Sequence, residues 1–326
     1  MKISASVLVT SAVLGGLSAA VSTPALAQAW PVKPVRVISA YAPGGPVDVV
    51  ARPIVEALSK SMGQQFLLDN RPGANGNIGA HEVARAAPDG YTLLFGTTSQ
   101  LSINPALYSM PFDALKDLAP VVLISLIPSA MIVSASSPLN SVKDVIAAAR
   151  AKPGMLTYSS AGNGSQNHLA GELFAMLTQT KMLHVPYKGG APALTAVLAG
   201  EVSMIIQSPS VGLAQVRAGK LKVLMVSAPK RMDILPDVPT NEEVGLPEFK
   251  SRAGTGMLVP VKTPRAIIDR LNVEITRYLN SAEGKKYYVA QGVDLYPGTP
   301  EEFARVLQDE AERWSAVVKA ANIKLD

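Results

Sequence analysis

Cysteine is absent from this chain, which removes disulfides, thiolate metal sites and a lipid-bearing cysteine behind a leader. Histidine is scarce: His81, His168 and His184 lie on separate segments without metal-ligand spacing. Charge is thin as well, at 17% of residues, and the net +5 is scattered rather than gathered into a basic patch. Nucleic acid is therefore not an expected partner. Missing too are Gly-x-Ser-x-Gly and a phosphate-binding glycine loop with its lysine, so serine hydrolysis and nucleoside triphosphate binding have no support. No cofactor is expected. The chemistry points to recognition, not reaction.

What is present is apolar and alternating. Hydrophobic residues make up 48% of 326, enough for two domains with substantial cores. Met1-Lys2, an apolar stretch from Val7 to Ala20 and the small residues Ala25-Leu26-Ala27 read as a secretory leader over residues 1–27. Cleavage is expected after Ala27 or Ala29, with a soluble periplasmic product. No comparable apolar span occurs later.

Strand-like and helix-like runs then alternate, which predicts parallel sheets covered by helices. Val35 to Ala40 is a buried strand. Tyr41-Ala42-Pro43-Gly44-Gly45-Pro46-Val47-Asp48 follows it, and Val49, Val50, Ile54 and Leu58 are spaced for one helical face. A strand, a glycine turn and a helix start together offer backbone N–H groups and a positive dipole end to an anion. The same stretch is also an ordinary strand-to-helix turn. Gly73, Gly76 and Gly79 are spaced G-x-x-G-x-x-G, which is not the dinucleotide fingerprint.

A third strand, Tyr91 to Gly96, releases Thr97, Ser99 and Asn104, uncharged groups that either meet a ligand at a sheet's carboxyl edge or cap the next helix. Leu118–Ile127 and Ala130–Val133, separated by Pro128, read as the chain crossing between domains. A second loop, Ser159 to His168, repeats the pattern of strand, small residues and helix start. Ser165 is its expected N-cap. Val202 to Ile206 ends at Gln207, and Gly254 to Pro260 reads as the return crossing. The last part is helical over Pro264 to Asn280 and again over Thr299 to Ala320, with Thr299-Pro300-Glu301-Glu302 opening the last helix.

Several fragments recur together: Trp30-Pro31-Val32-Lys33-Pro34, Pro43-Gly44-Gly45-Pro46-Val47-Asp48, Asn70-Arg71-Pro72-Gly73-Ala74 and Pro88-Asp89-Gly90-Tyr91-Thr92. Ser160-Ala161-Gly162-Asn163-Gly164-Ser165, His184-Val185-Pro186-Tyr187-Lys188-Gly189 and Pro236-Asp237-Val238-Pro239-Thr240 follow in order. In that order, across nearly the whole chain from Trp30, the sequence resembles the Bug-type periplasmic solute-binding receptors of tripartite tricarboxylate transporters. The resemblance implies an α/β, two-domain, periplasmic-binding-protein-like (type II) clamshell with two interdomain crossings. The expected domains are 28–128 plus 254–326, and 129–253. It implies a non-enzymatic receptor that holds a small organic carboxylate and delivers it to the transporter's membrane permease subunits. An exported sensor presenting the same ligand to a signalling partner is the alternative.

By that resemblance the anion cradle is Tyr41, Pro43, Gly44, Gly45, Val47 and Asp48, with Asp48 fixing the loop. Thr97, Ser99, Asn104, Ser160, Gly164, Ser165, His168 and Gln207 complete the expected cleft, and no metal takes part. Two departures stand out. Pro46 replaces a small polar residue and removes one N–H donor. The tryptophan common before the return crossing is missing, with Ala253 and Gly254 in its place.

Overall fold

The computed structural model describes residues 30–291 and 293–325; the leader and its cleavage sites lie outside them. Among the described residues, ten strands form two five-stranded sheets. They are β1 (Val35–Ser39), β2 (Phe66–Asn70), β3 (Thr92–Thr97), β4 (Leu118–Pro128), β5 (Ala130–Ser134), β6 (Thr157–Ser160), β7 (Leu183–Pro186), β8 (Met204–Gln207), β9 (Leu221–Val226) and β10 (Arg252–Pro260). The first sheet runs β2-β1-β3-β10-β4 and the second β7-β6-β8-β5-β9.

Neither sheet is wholly parallel, contrary to the expectation from alternation. β1 is parallel to β2 and β3, and β6 to β7 and β8. β10 is antiparallel to β3 and β4, and β5 to β8 and β9. The cause is the crossing itself. β4 ends at Pro128 and β5 begins at Ala130, so one nearly continuous extended run leaves the first sheet and enters the second. A strand that arrives this way runs against the strands built by right-handed βαβ crossovers. β10 returns beside β4, against its direction, for the same reason.

Three buried serines stitch the two crossings where they touch. The Ser129 amide donates to the Ser251 carbonyl at 2.9 Å, and the Ser227 amide donates to the Ser129 carbonyl at 2.8 Å. The Ser251 amide donates to Ser227 Oγ at 2.8 Å. Small hydroxyl side chains satisfy the backbone here, where burial would otherwise strand it.

Helices cover both faces of each sheet. The Pro46–Met62 and Arg265–Asn280 helices bury Ile54, Leu58, Leu271 and Ile275 against Val37, Phe95 and Met257. The Gln166–Thr178 helix buries Leu169, Leu173 and Phe174 against Met131, Tyr158 and Met204. An Ala282–Ala290 helix, not anticipated from the sequence, turns Tyr288 into the first core.

The last helix, Pro300–Ala320, opens with the expected capping box between Thr299 and Glu302. Its early residues Phe303 and Leu307 lie in the first half's core. Trp314, Val317 and Val318 lie in the second's. Assigning 254–326 wholly to one domain is thus corrected: this helix is shared.

Candidate functional site

The first loop folds as its residue types dictate. Gly44 has φ +77°, which favours glycine, and Gly45 precedes the Pro46–Met62 helix with no side chain capping it. Pro46 has no N–H and the Val49 amide bonds the Gly45 carbonyl, which leaves the Val47 and Asp48 amides of the first turn without a carbonyl partner. Asp48 is 2% exposed and accepts from the Gly44 amide at 3.0 Å, Arg52 Nε at 2.7 Å and Asn70 Nδ2 at 3.1 Å. Burial alone would raise its pKa, but those three donors hold it below the ordinary carboxylate range. Its carboxylate braces the loop from inside and is not available to a ligand.

Tyr41 donates to or accepts from Thr97 Oγ1 at 2.8 Å, joining the ends of β1 and β3. Burial raises the Tyr41 phenol pKa against the opposing Thr97 bond. Thr97 is also the N-cap of the Thr98–Ser102 helix, which is the capping reading of its hydroxyl. Asn104 corrects an expectation. It is fully buried, and its amide is spent on Asn75 and Asn77 at 2.7–3.0 Å. It supports the Gly73–Gly79 loop rather than offering a ligand contact.

In the second loop Ser165 caps the Gln166–Thr178 helix, accepting from the His168 amide and donating to the Gly162 carbonyl at 2.7 Å. Gly164, at φ +71°, donates its amide to His168 Nδ1 at 3.1 Å. The His168 ring stacks on His184 with centroids 3.7 Å apart and planes within 5°, and His184 stacks in turn on Tyr158. His184 Nε2 bonds Ser160 Oγ at 2.6 Å. Burial pushes both imidazoles down to about 4, with His168 a further cause at His184. His168 and Ser160 are thus the loop's scaffold. The histidines are far apart in sequence, and only the parallel pairing of β6 with β7 brings them together.

The halves touch beside the two loops: Ser99 Oγ, on the Thr98–Ser102 helix after β3, donates to Gln166 Oε1 at 3.4 Å. Gln207, 4% exposed at the end of β8, has an amide nitrogen with no partner among the described residues. Pro43 and Gly44 are exposed, but the Gly44 amide is spent on Asp48 and the Gly45 amide on the Ala42 carbonyl, so the donors left at the helix start are the amides of the buried Val47 and Asp48.

A cavity of about 500 Å³ lies between the halves, beside the crossings. Its walls come from the ends of β4 and β10, from Ser208–Ser210 after β8, and from the segments around Pro229 and Leu295. None of the fourteen expected site residues lines it. Arg252 does, and sequence reasoning passed it over. A lone charge opening the buried run Arg252–Pro260, beside the missing tryptophan, was the available signal. Among the described residues no group of three histidine, cysteine or acidic side chains could hold a metal, and no helix is long and apolar enough to cross a membrane.

The model of the tripartite tricarboxylate transporter family receptor matches residues 50–323. The chain belongs to that family. Its members are solute-binding receptors rather than enzymes, and the two-domain clamshell is theirs. The family match begins just after the cradle, but whole-chain relatives extend across it. BugT of Bordetella pertussis is 34% identical over 313 residues, covering 94% of this chain and 95% of that protein. The structure of R. palustris Rpa4515 with adipate is 34% identical at a TM-score of 0.72, covering 90% of this chain and 99% of that one. MatC from Rhodopseudomonas palustris with bound malate is 31% identical at a TM-score of 0.69, covering 89% and 100%.

Proposed function

We propose that this receptor is exported, loses its leader after Ala27 or Ala29, and captures a small carboxylate between its two halves for delivery to permease subunits in the membrane. The observation that carries the reading is the uncapped helix start at Gly45, whose Val47 and Asp48 amides lack a carbonyl partner and whose loop is tied through Tyr41 and Thr97 to the helix that touches the other half. Neither loop contains lysine or arginine, so dipoles and N–H groups hold the anion there. The relatives solved with adipate and malate bind ligands of the same chemistry. Thr97, Ser99, Gly164, Ser165 and Gln207 complete the cleft, while Asp48, Asn104, Ser160 and His168 hold its loops. Ligand contacts that form only when the halves meet would drive closure.

Thermal unfolding of the mature protein against small carboxylates tests this. A ligand at a hundred times its Kd stabilises by about 2.7 kcal/mol, a shift of several degrees. Gly45→Trp should abolish the shift without unfolding the protein. A Cβ at Gly45 meets only the Ala42 carbonyl, at 3.4 Å, and its φ of −78° suits any residue. A shift that survives Gly45→Trp would remove the cradle from the binding reaction. The absence of any shift with malate, adipate or their analogues would refute carboxylate capture.

A further inference from the structure

The segment after the Pro300–Ala320 helix is steered, not frayed. Asn322 takes the left-handed conformation at φ +51°, which asparagine tolerates better than most residues that carry a side chain. The Ile323 amide returns to the Val318 carbonyl at 3.0 Å, and the Asn322 amide to the Lys319 carbonyl at 3.3 Å. These two bonds make a Schellman turn. Ile323 and Val318 then pack together in the second core, the apolar contact that such turns carry. The course of residues 321–325 is thus set by Asn322 and pegged by Ile323.

That course leads to the second ligand loop. A Cβ added to Gly164 would stand 2.8 Å from Leu325 Cδ2 and 3.0 Å from Leu107 Cδ1, so both leucines lie against the bare backbone there. Leu325 is half-buried, while Lys324 beside it is exposed. Other bonds hold the loop from within: Ser160 Oγ accepts from the Gly162 amide at 3.1 Å, and His168 Nδ1 from the Gly164 amide at 3.1 Å. What the turn delivers is the start of the Gln166–Thr178 helix. The Ser165 amide bonds the Gly162 carbonyl at 3.2 Å, and Ser165 Oγ accepts from the His168 amide. The Gln166 and Asn167 amides are left without a carbonyl partner, on the residue whose side chain touches Ser99 and the one after it.

Resting on the receptor reading above, we infer that Leu325 is a positioning residue for ligand capture. Seated with Leu107 on Gly164, it holds the Gly162–Ser165 turn so that the Gln166 and Asn167 amides are aimed before the ligand arrives. Glycine stands at two of the turn's four positions, and glycine keeps more backbone freedom than any other residue. An apolar side chain lying on that backbone takes up the freedom in advance. Preorganisation of this kind raises affinity by removing the cost of ordering from the binding step. Leu325 lies outside residues 50–323, which match the family model, so membership of the family does not by itself supply it.

Calorimetric titration and stopped-flow binding with malate, adipate and their analogues test the assignment on the unaltered protein, Leu325→Ala and Leu325→Met. Leu325→Ala should weaken whichever of these acids binds by about tenfold, the order of cost for ordering one backbone residue at the moment of binding. The loss should fall on the association rate, because the loop holds its binding shape for a smaller fraction of the time; dissociation should be unchanged. Leu325→Met refills the space and should restore most of the affinity. Without ligand, both variants should melt within about 2 °C of the unaltered protein, as changes at half-exposed positions do. Ile323→Ala, which removes the peg from the core, should lower the melting temperature further.

Unchanged affinity in Leu325→Ala would overturn the proposal. A loss carried by the dissociation rate would overturn it too, since the leucine would then touch the bound ligand itself. So would a fall in melting temperature as large as that of Ile323→Ala, which would make Leu325 a core residue. In each case carboxylate capture by the unaltered protein still stands. Failure of the unaltered protein to bind any of these acids would instead bring down the receptor reading and this proposal with it.

Discussion

Acidification should loosen the second loop through its stacked histidines. In the folded protein both rings are held neutral, at about 4 instead of the ordinary 6.5. The unfolded chain therefore binds more protons between those values, so stability is full above about 6.5 and falls as pH drops toward 4. Below that window both states are protonated and these rings contribute no further loss. His168 is 7% exposed, and its displacement is worth about 3 kcal/mol at 1.36 kcal/mol per unit. His184 adds less because it is more exposed. Glu310 works in the other direction: its folded value of about 7 lies above the unfolded one, so its contribution grows as pH falls through the same window. The measurable quantity is therefore a difference. Urea unfolding between pH 7.5 and 4.5 should show the unaltered protein losing about 3 kcal/mol relative to His168→Gln, His184→Gln. Carboxylates held low, such as Asp48, lose their protection only below this range. Parallel pH curves for the two proteins would refute the reasoning, because the rings would then titrate as they do in the unfolded chain.

Glu310→Gln should raise the melting temperature at pH 8, where the native carboxylate must be charged inside the protein, and the gain should shrink toward pH 5. Scanning calorimetry at both values checks it; an equal effect at both would mean that Glu310 titrates normally. Trp314→Ala should cost about 3–5 kcal/mol, since the indole is 1% exposed within the second core. Chemical denaturation measures this, and a loss below about 1 kcal/mol would show that the helix end is not anchored there.

Local structure was legible because local chemistry decided it. The helix starts at Ser141, Ser165 and Thr299 follow from capping residues whose side chains accept from their own first turn. The fate of Asp48 was also readable, since Gly44 and Arg52 lie within four residues of it. Direction within the sheets was not, because β5 and β10 take theirs from the crossing rather than from their apolar pattern. Asn104 and His168 were read as facing the cleft because Asn75 and His184, which hold them, lie twenty-nine and sixteen residues away, and the spacing of apolar residues carries no trace of a side-chain contact across that distance. Arg252 was hidden differently. A single arginine at a strand's start reads as surface until the cavity beside it is known.

The shared final helix also sets a schedule for the chain as it is made. Every strand of the second half exists once Val226 has been synthesised, yet its core still lacks Trp314, Val317 and Val318. The first half waits on the same helix for Phe303 and Leu307, and on the Arg252–Pro260 strand before it. Neither half closes its core until almost the whole polypeptide has left the ribosome. Contacts of such long sequence separation form late and slowly. For the export proposed above, this arrangement keeps both halves open longest, because the piece that completes them is the last to arrive.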